Sequence, residues 1–358
     1  MTWRLDDFDY PLSPERIAQQ PAEPRDAARL LVVDRSGGGL QHGRVRELGR
    51  WLRPGDLLVG NATRVRPARL RGHKASGGRA EALLLAPGAG PGEFRALVRC
   101  SGRLRPGLRL CFEAAGPQES AGEGVGEARP PALEAELAAL AADGEAILRF
   151  APESDPYGFG EMPLPPYIRR EAADPRDRER YQTVFAREPG SVAAPTAGLH
   201  LTRALLDGLR SQGIGWAEVV LHVGPGTFRP VGEEALARGE LYPERYHLPG
   251  ATVSAIEGAR ARGARVVAVG TTTCRVLEAC AAPDGTLRPG SGETRLFLRP
   301  GSSFRSVDAL LTNFHLPRSS LLLLVAAFAG WETVRDAYQE AIEREYRFYS
   351  YGDAMLIL

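Results

Sequence analysis

The chain has 358 residues, enough to bury a sizeable core and to form two domains. Its 45 Lys and Arg against 44 Asp and Glu leave a formal charge of +1, so no whole-molecule field marks it as a polyanion binder. Cys100, Cys111, Cys274 and Cys280 lack C-x-x-C spacing, which argues against a disulfide framework or zinc module and for free thiols in a reducing cytoplasm.

Prolines 11, 21 and 24 forbid a long opening helix, and a short apolar strand follows at 30–33. Glu23, Pro24, Arg25 and Asp26 read as a charged surface turn with a local ion pair of little weight. A helical segment is predicted around 45–52 and a strand at 56–59, separated by Pro54-Gly55. From 61 onward Arg64, Arg66, Arg69, Arg71, Lys74 and Arg79 crowd one interval, and Arg95, Arg99, Arg103, Arg105 and Arg109 a second. They fall in alternating apolar and charged runs between Gly and Pro turns, the pattern of short antiparallel strands. The expectation is a small β-barrel over 61–150 with one basic face, broken at about 114–131 by a flexible loop too poor in apolar residues to pack. That face suits RNA phosphates, and equally a solvated arginine-rich surface, because acidic residues between Glu113 and Glu145 dilute its charge.

Helix and strand alternation resumes after 150, so the β module reads as an insertion into a large α/β domain made of 1–60 and 151–358. The run Met162-Pro163-Leu164-Pro165-Pro166-Tyr167-Ile168 reads as a stiff linker back into that domain. Next comes YQTVFAREPGSVAAPTAGLH at 181–200, with small residues from Gly190 to Gly198; backbone there is expected to approach a neighbouring element or a ligand. Thr202 is placed to cap a helix carrying Leu205, Leu206 and Leu209, with Gly213 past its end. A helix N-terminus suits an anionic group, although a tight crossover loop fits the same residues.

Residues 217–223 read as a buried strand ending in the turn Gly224-Pro225-Gly226-Thr227-Phe228. A helix at 253–262 leads to a strand at 265–269, and Gly270-Thr271-Thr272-Thr273 opens another helix. Ligands of parallel α/β sheets bind at the carboxyl ends of strands, where both turns lie. Neither has the spacing of a dinucleotide fingerprint or a lysine-bearing phosphate loop. A strand at 294–298 precedes Asn313 and His315, polar residues in an apolar setting. A buried helix at 321–329, too short to span a bilayer, and a helix at 332–346 follow. The crowded Tyr346, Phe348, Tyr349 and Tyr351 suit a core strand or a stacking platform for a base. His200, His222 and His315 each adjoin a turn motif. They fit a shared acid/base site, three separate structural residues, or a metal site, for which carboxylate partners and close spacing are lacking.

Several motifs in order carry a resemblance: Glu23-Pro24-Arg25-Asp26, NATRV at 61–65, LPPYI at 164–168, the 181–200 stretch, Leu221-His222-Val223-Gly224, Val269-Gly270-Thr271-Thr272, LLTNFHLP and YSYGDAMLI. Over nearly its whole length the chain resembles the S-adenosylmethionine:tRNA ribosyltransferase-isomerases of queuosine biosynthesis. It departs from their pattern at Gly60, Ala62, Pro225, Tyr242 and Thr273-Cys274. The resemblance implies an α/β domain with an inserted barrel. It implies transfer of the ribosyl part of S-adenosylmethionine to 7-aminomethyl-7-deazaguanine at the tRNA wobble position, with S-adenosylmethionine as co-substrate, no recycled cofactor, no metal and no membrane. A cytoplasmic monomer is expected. On this reading His200, His222 and His315 are the acid/base candidates. Thr196, Gly198, Thr227, Thr271 and Thr272 would contact S-adenosylmethionine, and Arg64, Arg275 and Asn313 would anchor substrate or tRNA. Two other classes fit the residues: a non-catalytic tRNA-binding protein and a metal-dependent hydrolase built on the histidines.

Overall fold

The computed structural model describes residues 4–37, 39–114, 132–141, 144–224, 226 and 232–358; the loop expected at 114–131 and Thr227 fall outside these, apart from Ala114. The chain first lays down β1 (Arg29–Asp34), β2 (Gly39–Arg44), β3 (Leu57–Asn61) and the short β4 (Thr63–Val65). It then forms β5 (Arg69–Lys74), β6 (Arg79–Pro87), β7 (Glu93–Cys100), β8 (Arg109–Glu113), β9 (Ala132–Leu140) and β10 (Ala146–Phe150). After α1 (Asp177–Arg180) come β11 (Glu188–Ser191), α2 (Arg203–Ser211), β12 (Gly215–Leu221), α3 (Glu233–Arg238), β13 (Glu240–Leu248) and α4 (Gly250–Ala261). The chain closes with β14 (Val266–Val269), α5 (Thr271–Cys280), β15 (Gly290–Leu296), β16 (Ala309–Asn313), α6 (Ser320–Ala329), α7 (Trp331–Glu343) and β17 (Ala354–Ile357).

Nine strands form one sheet in the order β15-β13-β12-β3-β14-β16-β17-β1-β2. Its centre, β12, β3, β14 and β16, is parallel, while β13 and β17 flank it antiparallel. Strands β3, β14 and β16 are buried at every position, as strands covered on both faces must be. The side chains alternate between two cores: Leu57, Val59, Val266, Ala268 and Leu310 pack beneath α4 to α7, whereas Leu58, Val267, Val269 and Leu311 pack with Leu48, Leu201, Leu206 and Leu209. Strands β5 to β10 close an antiparallel barrel around Leu70, Leu84, Val98, Phe112, Leu137 and Leu148. This is the α/β fold with an inserted barrel that the sequence implies. The barrel is tied back by the Arg69–Glu161 bridge and by the parallel pairing of β4 with β11.

Three local readings change. The segment 162–168 is not a linker: Met162, Leu164 and Ile168 are buried in a small core with Val65, Tyr181, Leu199 and Tyr351, because proline stiffness lets a chain be extended and packed at once. The Glu23–Asp26 turn holds no local ion pair of its own. Arg25 instead donates to the carbonyls of Gln182 (2.5 Å) and Glu179 (2.6 Å), and Asp26 accepts from the Thr202 hydroxyl (2.8 Å), so this turn clamps the 181–200 stretch. Residues Val45–Arg50 form a 3₁₀ rather than an α-helix. Of the two readings for the terminal aromatics, burial favours core: Tyr346, Phe348 and Tyr351 are essentially inaccessible.

Candidate active site

Parallel strands bring their carboxyl ends to one edge, and here that edge gathers Asn61 from β3, His222 after β12, Gly270 after β14 and Asn313 from β16. Asn61 is the clamp. Its amide nitrogen donates to Leu221 O (3.0 Å) and Thr272 Oγ1 (3.1 Å), and its oxygen accepts from the N–H groups of Thr63 (3.1 Å) and Leu221 (3.0 Å). Every hydrogen-bonding position of that side chain is filled, which locks β3, β12 and α5 in register. Gly270, at φ 93°, turns the chain from β14 into α5, and a Cβ there would lie 3.6 Å from that of Ala197. The turn at 196–200 therefore meets the Gly270 turn.

His222 is held by its Nδ1, 2.9 Å from Thr63 Oγ1, and by its own N–H, which donates to Arg245 O (2.9 Å). Its ring occupies the space beside Gly190, where a Cβ would come within 2.6 Å of it. That contact explains why the small-residue run begins there. The Thr63 hydroxyl also lies 3.5 Å from Glu188 O, so it bridges the His222 ring and the start of β11. Burial, with help from Arg245 and Arg66, pushes the His222 pKa below its usual 6.5. This histidine lines a cavity of 350 Å³ with Ala62, Arg187, Glu188, Glu218 and His247. An adjoining hollow of 270 Å³ shares Arg187 and Glu218, which form an ion pair. The departure at Gly60 is explained nearby, since a Cβ would strike the Trp216 ring at 2.5 Å, and Ala62 faces the larger cavity.

On the other side of the turn, Asn313 Nδ2 donates to Tyr349 O (3.0 Å) and to His200 Nε2 (3.1 Å). The carbonyl fixes which end of the amide is nitrogen, and this in turn places the His200 proton on Nδ1. Burial pushes the His200 pKa down to about 4, with Asp353 opposing and Arg347 and Arg25 reinforcing. His315 is pinned through its backbone by Tyr338 and Tyr10, and its Nε2 lies 2.7 Å from Thr312 Oγ1; burial takes its pKa to about 3. Asn313 Oδ1, Thr183 Oγ1 and Arg275 Nη2 are buried without a hydrogen-bond partner among the described residues. Unfilled polar atoms of this kind mark places where a ligand or water belongs.

The remaining candidates disperse. Thr196 opens the 3₁₀ turn Thr196–His200, half-buried, and Gly198 is packed so closely that a Cβ would lie 2.8 Å from Phe185 and 2.9 Å from Thr183. Thr271 is buried at the start of α5, and Thr272 is engaged by Asn61. Arg275 is buried and paired with Glu244, which also accepts from Gly224 N–H (3.0 Å). Arg64 is exposed on β4 and makes no ion pair with any described residue. No hydrogen bond among the described residues joins the three histidines to one another, and no three His, Cys, Asp or Glu side chains there stand as a metal-binding group. Asn61, Thr63 and Glu244 were not among the candidates. A polar Asn closing an all-apolar strand was the available signal for the first; nothing local marked Glu244, whose partner is 31 residues away.

Residues 5–357 match the family described as queuosine biosynthesis protein. The chain belongs to that family. Among its relatives is the S-adenosylmethionine:tRNA ribosyltransferase-isomerase of Moorella thermoacetica, 50% identical over 361 residues that span 99% of this chain and 100% of the relative. The protein of the same name from Geobacter sulfurreducens is also 50% identical, with 98% of each chain covered. The crystal structure of the S-adenosylmethionine tRNA ribosyltransferase from Thermotoga maritima matches with a TM-score of 0.55 at 38% identity, covering 98% of this chain and 100% of that one. Within this family member, no helix among the described residues is long and apolar enough to cross a membrane.

Proposed function

We propose that the chain transfers and isomerises the ribosyl part of S-adenosylmethionine onto 7-aminomethyl-7-deazaguanine in the tRNA anticodon, giving epoxyqueuosine-tRNA and releasing adenine and methionine. The observation that carries this reading is the match, at about half identity and nearly full length on both sides, to ribosyltransferase-isomerases. S-adenosylmethionine is a co-substrate here, and no recycled cofactor is required. Its sulfonium acidifies the adjacent 5′ carbon of the ribose. A base removes a proton there, adenine takes up a proton and leaves as the sugar opens, the substrate amine bonds to the opened sugar with loss of a proton, and the C5′–S bond breaks with its electron pair on sulfur as the epoxide oxygen bonds to that carbon, releasing methionine. Such chemistry needs a base, a proton donor for adenine and a pocket that excludes water.

His222 is the base in this proposal, because it lines the 350 Å³ cavity and burial lowers its pKa, favouring the neutral, proton-accepting ring, and that volume lies in the range of about 300–1,000 Å³ usual for small-molecule sites. His200, bearing its proton on Nδ1 and held by Asn313, is the donor candidate. His315 supports Thr312 and the strand end from behind. Thr196, Gly198, Thr227, Thr271 and Thr272 offer backbone and hydroxyl contacts to S-adenosylmethionine, with Arg275 and Asn313 as polar anchors and Arg64 on the tRNA side. The test is adenine release from S-adenosylmethionine by the purified protein, with and without tRNA carrying the aminomethyl-deazaguanine base. Release that requires the modified tRNA, with the matching mass gain on that nucleoside, is expected. Salt-sensitive tRNA binding without release would leave a binding protein instead.

A further inference from the structure

The barrel's arginines divide into two sets that the sequence alone does not separate. Over much of the wall they are neutralised: Arg71 lies 3.3 Å from Glu161, Arg69 3.5 Å from Glu81, Arg95 2.7 Å from Glu145 and Arg149 2.9 Å from Glu93. At the end away from the Arg69–Glu161 bridge the pairing stops. Arg79, Arg99, Arg103, Arg105 and Arg109 are exposed and form no ion pair with any described residue. Main-chain hydrogen bonds stitch their segments into one rim: Lys74 N to Gly78 O (2.7 Å), Ala75 N to Arg109 O (3.1 Å) and Ser101 N to Arg79 O (3.2 Å). Lys74 Nζ joins it by donating to Ser101 O at 2.7 Å. Among the described residues, Glu81 stands opposite Arg99 in register but is engaged by Arg69, and Glu136 stands opposite Arg109 with no ion pair to a described residue. The turn tips are open, since a Cβ on Gly77 or Gly107 would meet nothing within 4 Å.

Like charges gathered on one rim repel one another, and water with mobile ions relieves this only in part. Guanidinium forks suit phosphate oxygens, and the rim crosses the ends of four neighbouring strands, roughly 15 Å at the usual strand spacing, enough to meet several phosphates. We infer that this distal rim docks the sugar-phosphate backbone of the tRNA body, away from the base being modified. The inference rests on the tRNA substrate proposed above and adds the surface that holds it. Contacts of this type position the RNA without reading its sequence.

The experiment uses the full chain with Arg79, Arg103 and Arg105 all changed to Gln, all exposed positions. Binding of labelled full-length tRNA is followed across a salt series, and adenine release is measured with full-length modified tRNA and with the isolated modified anticodon stem-loop. The log-affinity against log-salt slope is expected to become shallower by about 2, at roughly 0.7–0.9 per lost phosphate contact. The ratio of kcat/KM for full-length tRNA to that for the stem-loop is expected to fall about tenfold. Lys at the three positions should restore the slope, and Gln at the paired Arg95 and Arg149 should leave it unchanged. An unaltered slope in the triple variant, or an equal loss from Arg95→Gln/Arg149→Gln, overturns the rim. A parent chain with a rim-dependent slope that releases no adenine overturns the activity and keeps the rim.

Discussion

His222 is positioned by the Thr63 hydroxyl, the Arg245 carbonyl and the absence of a side chain at Gly190. His222→Gln is expected to lower adenine release by about 100-fold or more, the usual weight of an acid/base group, while tRNA affinity stays unchanged. Because its pKa lies below 6.5, the acid limb of the rate profile in the parent chain should fall below that pH, where the base becomes protonated. His200 and His315 make a separate contribution, to stability. Their folded pKa values of about 4 and about 3 lie below the ordinary 6.5, so between these limits the unfolded chain binds protons that the folded chain does not. Stability should therefore be fully present above pH 6.5 and fall as the pH drops through this range, for each histidine by roughly 1.4 kcal/mol per unit between its folded pKa and 6.5. Denaturant melts of His315→Gln across this window should show a shallower pH dependence than the parent; an identical profile would exclude His315 as a buried neutral group. Glu244 has a comparable role for Arg275. Removing it as Glu244→Ala leaves a buried guanidinium unpaired and should cost about 3–5 kcal/mol, with Glu244→Met/Arg275→Met milder.

At the scale of elements, the 181–200 stretch does its work through fit. Gly198 sits against Phe185 and Thr183, and the 3₁₀ turn it belongs to ends on His200. In Gly198→Ala the added methyl must displace the ring or the turn, so adenine release is expected to fall and stability to drop by about 1–3 kcal/mol; a variant with parental turnover and stability would show that the turn tolerates displacement. Thr202 caps α2 by accepting from Leu205 N–H (3.1 Å) and also donates to Asp26. Thr202→Ala should cost about 1 kcal/mol for the cap, measured by denaturant unfolding. These elements were legible beforehand: the cap, the apolar faces of α2 and α6, and the Gly270 turn all follow from local chemistry. The role of Arg25 was not, because its acceptors are carbonyls more than 150 residues away and carry no sequence signature.

Across the whole molecule, one sheet edge collects residues from four strands while a barrel inserted between β4 and β11 presents its charged rim elsewhere. Since His200 Nε2, His315 Nε2 and His222 Nδ1 each face a different protein partner, adenine release is expected to survive exhaustive treatment with EDTA. Loss of release that a divalent ion restores would overturn the acid/base arrangement.

The sequence by itself determined the α/β class, the inserted barrel, several of the strands and helices, the placement of glycine turns at strand ends and the family, but not the strands β2, β4, β11, β13 and β16. Those properties are written in periodicity, turn residues and contiguous motifs, which act over a few positions. Tertiary structure decided which polar groups meet: Asn61 with Thr272, His222 with Thr63, Asn313 with His200, Arg275 with Glu244, and which barrel arginines form ion pairs with described residues and which do not. Such pairings join residues 31 to 211 positions apart, and only strand register and packing bring them within a hydrogen bond.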